Sequence, residues 1–148
     1  MGIKKIIKYP NSILRQKSRT VEKFDARLLL LVRDMFKTMY ATEDGAGLAA
    51  VQVGVLRRVI VIDMGEGAHV LVNPEIVSAE GSQEDTEGCL SIPGRSGIVK
   101  RPARVTVKAL DEKGTEYFIS GEGALAKCLC HEIDHLEGKL YIDKIVKK

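Results

Sequence analysis

The feature that most constrains this chain is His131-Glu132-Ile133-Asp134-His135, close to its C-terminal end. On a helix, residues four apart share a face, with Cβ atoms about 5–6 Å apart. Two imidazoles placed this way can bind one metal ion, and Glu132 sits where it can reach a water on that ion. The chain has only 3 histidines, and two of them are here. The competing interpretation is a charged, solvated helix with two unrelated histidines.

Two histidines do not complete a site. A catalytic zinc-like centre normally takes three protein ligands and leaves one position open. Cys128 shares the face of His131, but Cys128 to His135 spans about 10 Å of helix, too far to converge on one ion. Cys130 points about 100° away from His131. Cys89 lies on a separate segment and is the best placed of the cysteines; His69 and Glu137 are its rivals. A Cys-His-His set with an open position would lower the pKa of a bound water toward about 7. Glu132 could then accept its proton and pass it to a leaving amine, which amounts to metal-assisted amide hydrolysis.

The remaining sequence surrounds this helix with strands. Residues 1–24 read as an irregular arm, with a turn at Pro10-Asn11 and with Ile13, Leu14 and Val21 tucked onto the core. Asp25 can cap a helix running to about Thr42, ending before Asp44-Gly45, with Leu28, Leu31, Val32, Met35, Phe36 and Met39 forming its apolar face. Gly45 to Gly54 reads as a tight turn entering a strand; it lacks the spacing of a phosphate-binding loop. Residues 57–63 and His69–Val72 read as strands, Asn73-Pro74 as a break, and Glu75–Ala79 as a further strand. Glu87 to Gly94 reads as a loop or strand edge holding Cys89. Arg104–Leu110 and Thr115–Ser120 form a hairpin around Asp111-Glu-Lys-Gly114. Ser120 can cap the final helix, Gly138 ends it, and Leu140 to Ile142 closes the chain. The pattern predicts an α+β fold: antiparallel β-sheets packed around the C-terminal helix that carries the metal motif, with a second, N-terminal helix.

Composition narrows the setting. A length of 148 residues, 45% hydrophobic and 29% charged, predicts a single domain over residues 1–148. A net charge of +3 does not call for a specific nucleic-acid partner. Lysines gather at both ends (Lys4, Lys5, Lys8; Lys144, Lys147, Lys148) and read as solvated termini, with a weak contact to an RNA-rich surface as the second reading. No stretch reaches the length of a membrane span, no signal-peptide run opens the chain, and Ile6 breaks the myristoylation pattern. These features predict a cytoplasmic protein. An odd count of 3 cysteines without a secretion signal argues for thiols or ligands rather than disulfides.

Three motifs together resemble the peptide deformylase family: Gly45-Ala46-Gly47-Leu48-Ala49-Ala50-Val51-Gln52, Glu87-Gly88-Cys89-Leu90-Ser91, and His131-Glu132-Ile133-Asp134-His135-Leu136. Their order and separations match, and the resemblance covers nearly the whole chain. It implies removal of the N-formyl group from the formylmethionine of newly made polypeptides, by attack of a metal-bound water. It implies Cys89, His131 and His135 as ligands, Glu132 as general acid/base, Gln52 and the Leu90 N–H as oxyanion donors, and Gly47 as a backbone contact to substrate. The implied cofactor is one divalent ion, Fe(II) in the cell, replaceable by Zn(II), Ni(II) or Co(II). The implied partners are nascent formyl-Met chains, with transient proximity to the ribosome.

Some positions depart from the family pattern. Cys130 stands where Gln is usual. Ser96 occupies a position often held by Arg, with Arg95 beside it. Lys127 falls where the methionine pocket should have an apolar wall. The sequence runs only about ten residues past Gly138, so docking through a long C-terminal helix is not carried over. The rival readings are a zinc peptidase, which would take a third His or Glu from the thirteen residues after His135, and a structural metal domain with a saturated four-ligand site.

Overall fold

The computed structural model describes residues 2–43 and 45–146. Asp44, and Lys147 and Lys148 of the C-terminal basic cluster, lie outside them. The arm is irregular apart from a 3-10 turn at Ser12–Arg15, and it buries Leu14 and Val21 as expected. Asn73 holds Val21 at both backbone groups: its side chain accepts from the Val21 N–H at 2.8 Å and donates to the Val21 carbonyl at 2.9 Å. Helix α1 spans Ala26–Tyr40, and the Asp25 carboxylate accepts from the Leu28 N–H at its start.

Seven strands follow in chain order: β1 Gly47–Ala49, β2 Val59–Asp63, β3 Ala68–Glu80, β4 Gln83–Cys89, β5 Ile92–Arg101, β6 Arg104–Leu110 and β7 Glu116–Glu122. Five of them form one antiparallel sheet in the order β1-β2-β3-β6-β7; β4 and β5 pair separately. Helix α2, Ala124–Leu136, packs on the opposite face of the large sheet from α1. Strand β2 shows why. Val59 and Val61 belong to the α1 cluster, with Leu28, Leu31, Val32, Met35 and Met39. Ile60 and Ile62 belong to the α2 cluster, with Leu129, Ile133 and Leu136. A strand covered on both faces needs no polar alternation, hence the unbroken Val-Ile-Val-Ile.

Two expectations are corrected and one choice is resolved. Asn73-Pro74 does not break the strand: β3 runs through it, with Asn73 at φ 51° and a register shift between Val72 and Glu75. The bulge absorbs the proline, so two expected strands are one. Of the two alternatives for the Cys89 segment the strand edge holds: Cys89 ends β4, and β4 and β5 form a hairpin turning at Leu90-Ser91. Ser120 does not cap α2. Its hydroxyl pairs with Thr106 within the sheet, β7 continues to Glu122, and Gly123 starts the helix at φ 59° without a side-chain cap. Gly138 does end α2, at φ 75°; a Cβ there would also lie 2.4 Å from the Arg15 carbonyl oxygen.

After α2, a 3-10 turn at Tyr141–Lys144 buries Tyr141 against Leu14, Ile92 and Val99. The Val146 N–H then donates to the Ile98 carbonyl at 2.8 Å, tying the closing segment to β5.

Candidate metal centre and catalytic site

Helix α2 has two working faces. Ala126, Leu129, Cys130, Ile133 and Leu136 enter the core, at helical spacing. Ala124, Lys127, Cys128, His131 and Glu132 line a cavity of about 580 Å³. The opposite wall comes from the hairpin (Glu87 to Leu90, Ile92 to Arg95) and from Gly45, Ala46, Gly47 and Gln52.

Cys89, His131 and His135 converge here, with one possible ligand atom each and all within 4.8 Å of one another. Cys89 Sγ lies 3.4 Å from His135 Nε2. Of the rival third ligands, Glu137 is taken by Arg58 at 2.7 Å, and His69 sits on β3 opposite Ile62, outside the group. Cys130 is in the core, where burial raises its thiol pKa. Cys128 faces the cavity beside Gly47 without joining the ligand group. A cysteine sulfur and two imidazoles grouped at the cavity wall suit a divalent transition metal.

Glu132 is buried, and its Oε1 has no hydrogen-bond partner among the described residues. Burial, reinforced by the Glu87 charge, pushes its carboxyl up to about 7 against the opposing pull of His131 and Arg101. A carboxyl that titrates near neutrality and faces an open cavity suits proton transfer. Gly47 makes room for it: a Cβ there would fall 2.9 Å from Glu132 Oε2 and 3.0 Å from Cys128 Sγ.

Gln52 is almost fully buried. Its Oε1 accepts from the Ala49 N–H at 3.0 Å, which turns Nε2 toward Ser91 Oγ at 3.1 Å and Cys89 Sγ at 3.6 Å. The Gly45–Gly54 stretch is therefore more than a turn: β1 pairs with β2, and a 3-10 turn at Ala50–Val53 aims the amide. The arm braces both walls, the Ile7 N–H donating to the Gln52 carbonyl at 2.7 Å and the Tyr9 N–H to the Ser91 carbonyl at 2.8 Å. Leu90 sits at the hairpin turn between Cys89 and Ser91 and lines the cavity.

The motif reading gave no role to Glu87, Arg101 or Asp134. His131 Nδ1 lies 2.9 Å from Glu87 Oε1. Arg101 donates to both Glu87 oxygens, at 2.8 and 2.9 Å, and to Asp134 at 2.6 Å; Lys144 completes the chain on Asp134 at 3.1 Å. Burial works to raise the Glu87 pKa, but Arg101 and His131 together hold it down to about 2. A carboxylate on the outer nitrogen of a ligand histidine fixes the ring's tautomer and strengthens its basicity. Glu87 was findable in principle, since on a strand it shares a face with Cys89 two residues on. Arg101 was not, because only the β4–β5 pairing places it there.

The family model described as polypeptide deformylase matches residues 3–148. The chain belongs to the polypeptide deformylase family. It is 56% identical to peptide deformylase 1 of Clostridium acetobutylicum, over 99% of this chain and 97% of the relative. The crystal structure of a peptide deformylase from Legionella pneumophila superposes with a TM-score of 0.94 at 50% identity, covering 98% of this chain and 87% of that one. A peptide deformylase from Ehrlichia chaffeensis in complex with actinonin gives 0.95 at 41% identity, covering 99% and 91%. The chain is thus a metal-dependent amide hydrolase acting on the N-formyl group of nascent polypeptides. This overrides the peptidase and structural-metal alternatives. Among the described residues, no helix is long and apolar enough to cross a membrane.

Proposed function

We propose that Cys89, His131 and His135 hold the catalytic ion, Fe(II) in the cell, with Zn(II), Ni(II) or Co(II) able to replace it. Glu132 is the general acid/base, and Gln52 Nε2 with the Leu90 N–H are the oxyanion donors. The observation that carries this assignment is the convergence of the three ligand atoms beside the unpartnered Glu132 Oε1. A bound divalent ion supplies Lewis acidity and a water acidic enough to ionise near neutrality.

The protein's own groups do the rest. Glu132 takes a proton on its free oxygen and delivers it to the amine leaving the formyl carbon. Gln52, locked by Ala49 and Ser91, presents its amide N–H₂ to the oxygen that gains charge, without reorganising as the charge develops. Gly47, on the edge strand β1, offers backbone to the peptide while leaving Glu132 its space. Glu87 and Arg101 keep His131 in orientation. The methionine side chain enters the cavity lobe along α2, past Cys128. The protein works in the cytoplasm, close to ribosomes where formylated chains emerge.

The test is formate release from formyl-Met-Ala-Ser by protein prepared without oxygen and loaded with Fe(II) or Ni(II), since thiolate and ferrous iron both oxidise. Metal-dependent release that Glu132→Ala abolishes is the expected result. Release that survives that substitution would remove Glu132 from its role.

A further inference from the structure

The cavity face of α2 carries one charge where the substrate's first side chain should meet an apolar wall. Ala124, Lys127, Cys128 and His131 follow one another along that face. At 1.5 Å per residue, Lys127 and Cys128 lie roughly 4–6 Å along the axis from His131. That places them beside the side chain of a residue whose formyl amide sits at the ligands. Cys128 is neutral there, because burial raises its thiol pKa.

Lys127 does not leave its charge in the lobe. Its ammonium donates to Asp85 Oδ2 at 2.8 Å and to the Thr86 carbonyl at 3.2 Å, both on β4. The lysine side chain is 22% exposed and that of Asp85 59%, so the pair meets at the rim. A lysine held in this way lays its methylenes along the wall and keeps its head outside. Thr86, Gly88 and Met64 line the same cavity as Lys127.

We propose that Asp85 and Lys127 form a clasp that sets side-chain specificity, making the lobe long and apolar enough for an unbranched, uncharged side chain such as methionine. The proposal rests on the deformylase reading of the site. With Asp85 gone, the Thr86 carbonyl alone holds the ammonium, and the lysine swings into the lobe. It shortens the space available to methionine and brings in a positive charge that suits an acidic side chain.

The experiment compares wild type, Asp85→Ala and Asp85→Ala/Lys127→Met on formyl-Met-Ala-Ser, formyl-Ala-Ala-Ser and formyl-Glu-Ala-Ser. Asp85→Ala should lower the Met-over-Ala ratio of kcat/KM by about tenfold, chiefly through KM, and raise the relative rate on formyl-Glu. Adding Lys127→Met should recover the lost ratio, because a neutral stem of similar length cannot carry charge inward. An unchanged ratio in Asp85→Ala overturns the clasp. So does a double variant no better than Asp85→Ala, which would mean that Asp85 merely braces β4. Calorimetric binding of Met-Ala-Ser against Ala-Ala-Ser reads the same three proteins without turnover and should rank them identically. If wild type releases no formate from any substrate, the deformylase reading fails. The clasp is then judged on binding alone, and is overturned if the preference for Met-Ala-Ser is absent or insensitive to Asp85.

Discussion

Replacing Arg101 with Met removes the cation that allows Glu87 to stay ionised inside the protein. Both residues are 4% exposed, and the guanidinium meets both Glu87 oxygens and Asp134. Breaking a buried ion pair from one side costs about 3–5 kcal/mol, because the surviving charge loses its partner. The carboxyl's shift points in the same direction. Glu87 is held down to about 2 from an ordinary 4.5 against the cost of its burial, with Arg101 the larger of the two pulls and His131 the other. Against a typical stability of about 5–15 kcal/mol this is a large share, and it should lower Tm by roughly 10 °C.

The pH dependence follows from the sign of the shift. A depressed carboxyl pKa contributes stability that is complete above the unfolded value and lost as pH falls through the folded one. The difference between wild type and Arg101→Met should therefore be largest at neutral pH and close as pH falls from about 4.5 to about 2. Differential scanning calorimetry from pH 7 to pH 2, on metal-loaded and metal-stripped protein, measures it. Equal Tm values at pH 7, or a difference that stays constant into acid, would refute the idea that Arg101 stabilises the Glu87 charge. Loosened support for His131 should also weaken metal binding about 10–100-fold, read by chelator competition.

The other expectations are more local. Glu132→Ala should keep the metal, by elemental analysis, and lose about 10²–10⁴ in kcat; metal loss would contradict a role confined to proton transfer. Cys89→Ala should lose most of the bound ion, whereas full occupancy would reopen the choice of third ligand. Gln52→Leu should cost about 10²–10³ in kcat with little change in KM, as expected for a donor that acts on developing charge; a pure KM effect would contradict that role. Gly47→Ala must displace the Glu132 carboxylate or Cys128, given contacts of 2.9 and 3.0 Å, so kcat should fall while the protein stays folded by circular dichroism.

Local chemistry made much of this protein legible. The two histidines four apart predicted a helix with both imidazoles on one side, and α2 brings both to Cys89. Asp25, the α1 periodicity, the Asp111 turn and Gly138 each act within a few residues of themselves, so capping and turn rules sufficed for them. The three motifs named the family and a ligand set.

What the sequence concealed is what depends on pairing between distant segments. β4 reads as polar because only Glu87 within it is fully buried, so no hydrophobic alternation announces a strand. Asn73-Pro74 signals a break locally, and neighbouring strands override it by accommodating a bulge. Lys127 looks out of place on the helix face until β4 brings Asp85 to its ammonium. Arg101 is an ordinary strand residue until the hairpin folds over α2, after which it is a buried cation joining Glu87 to Asp134. A charge inside a protein is tolerable only with a partner at hydrogen-bond distance, and which residue supplies that partner is decided by tertiary structure alone.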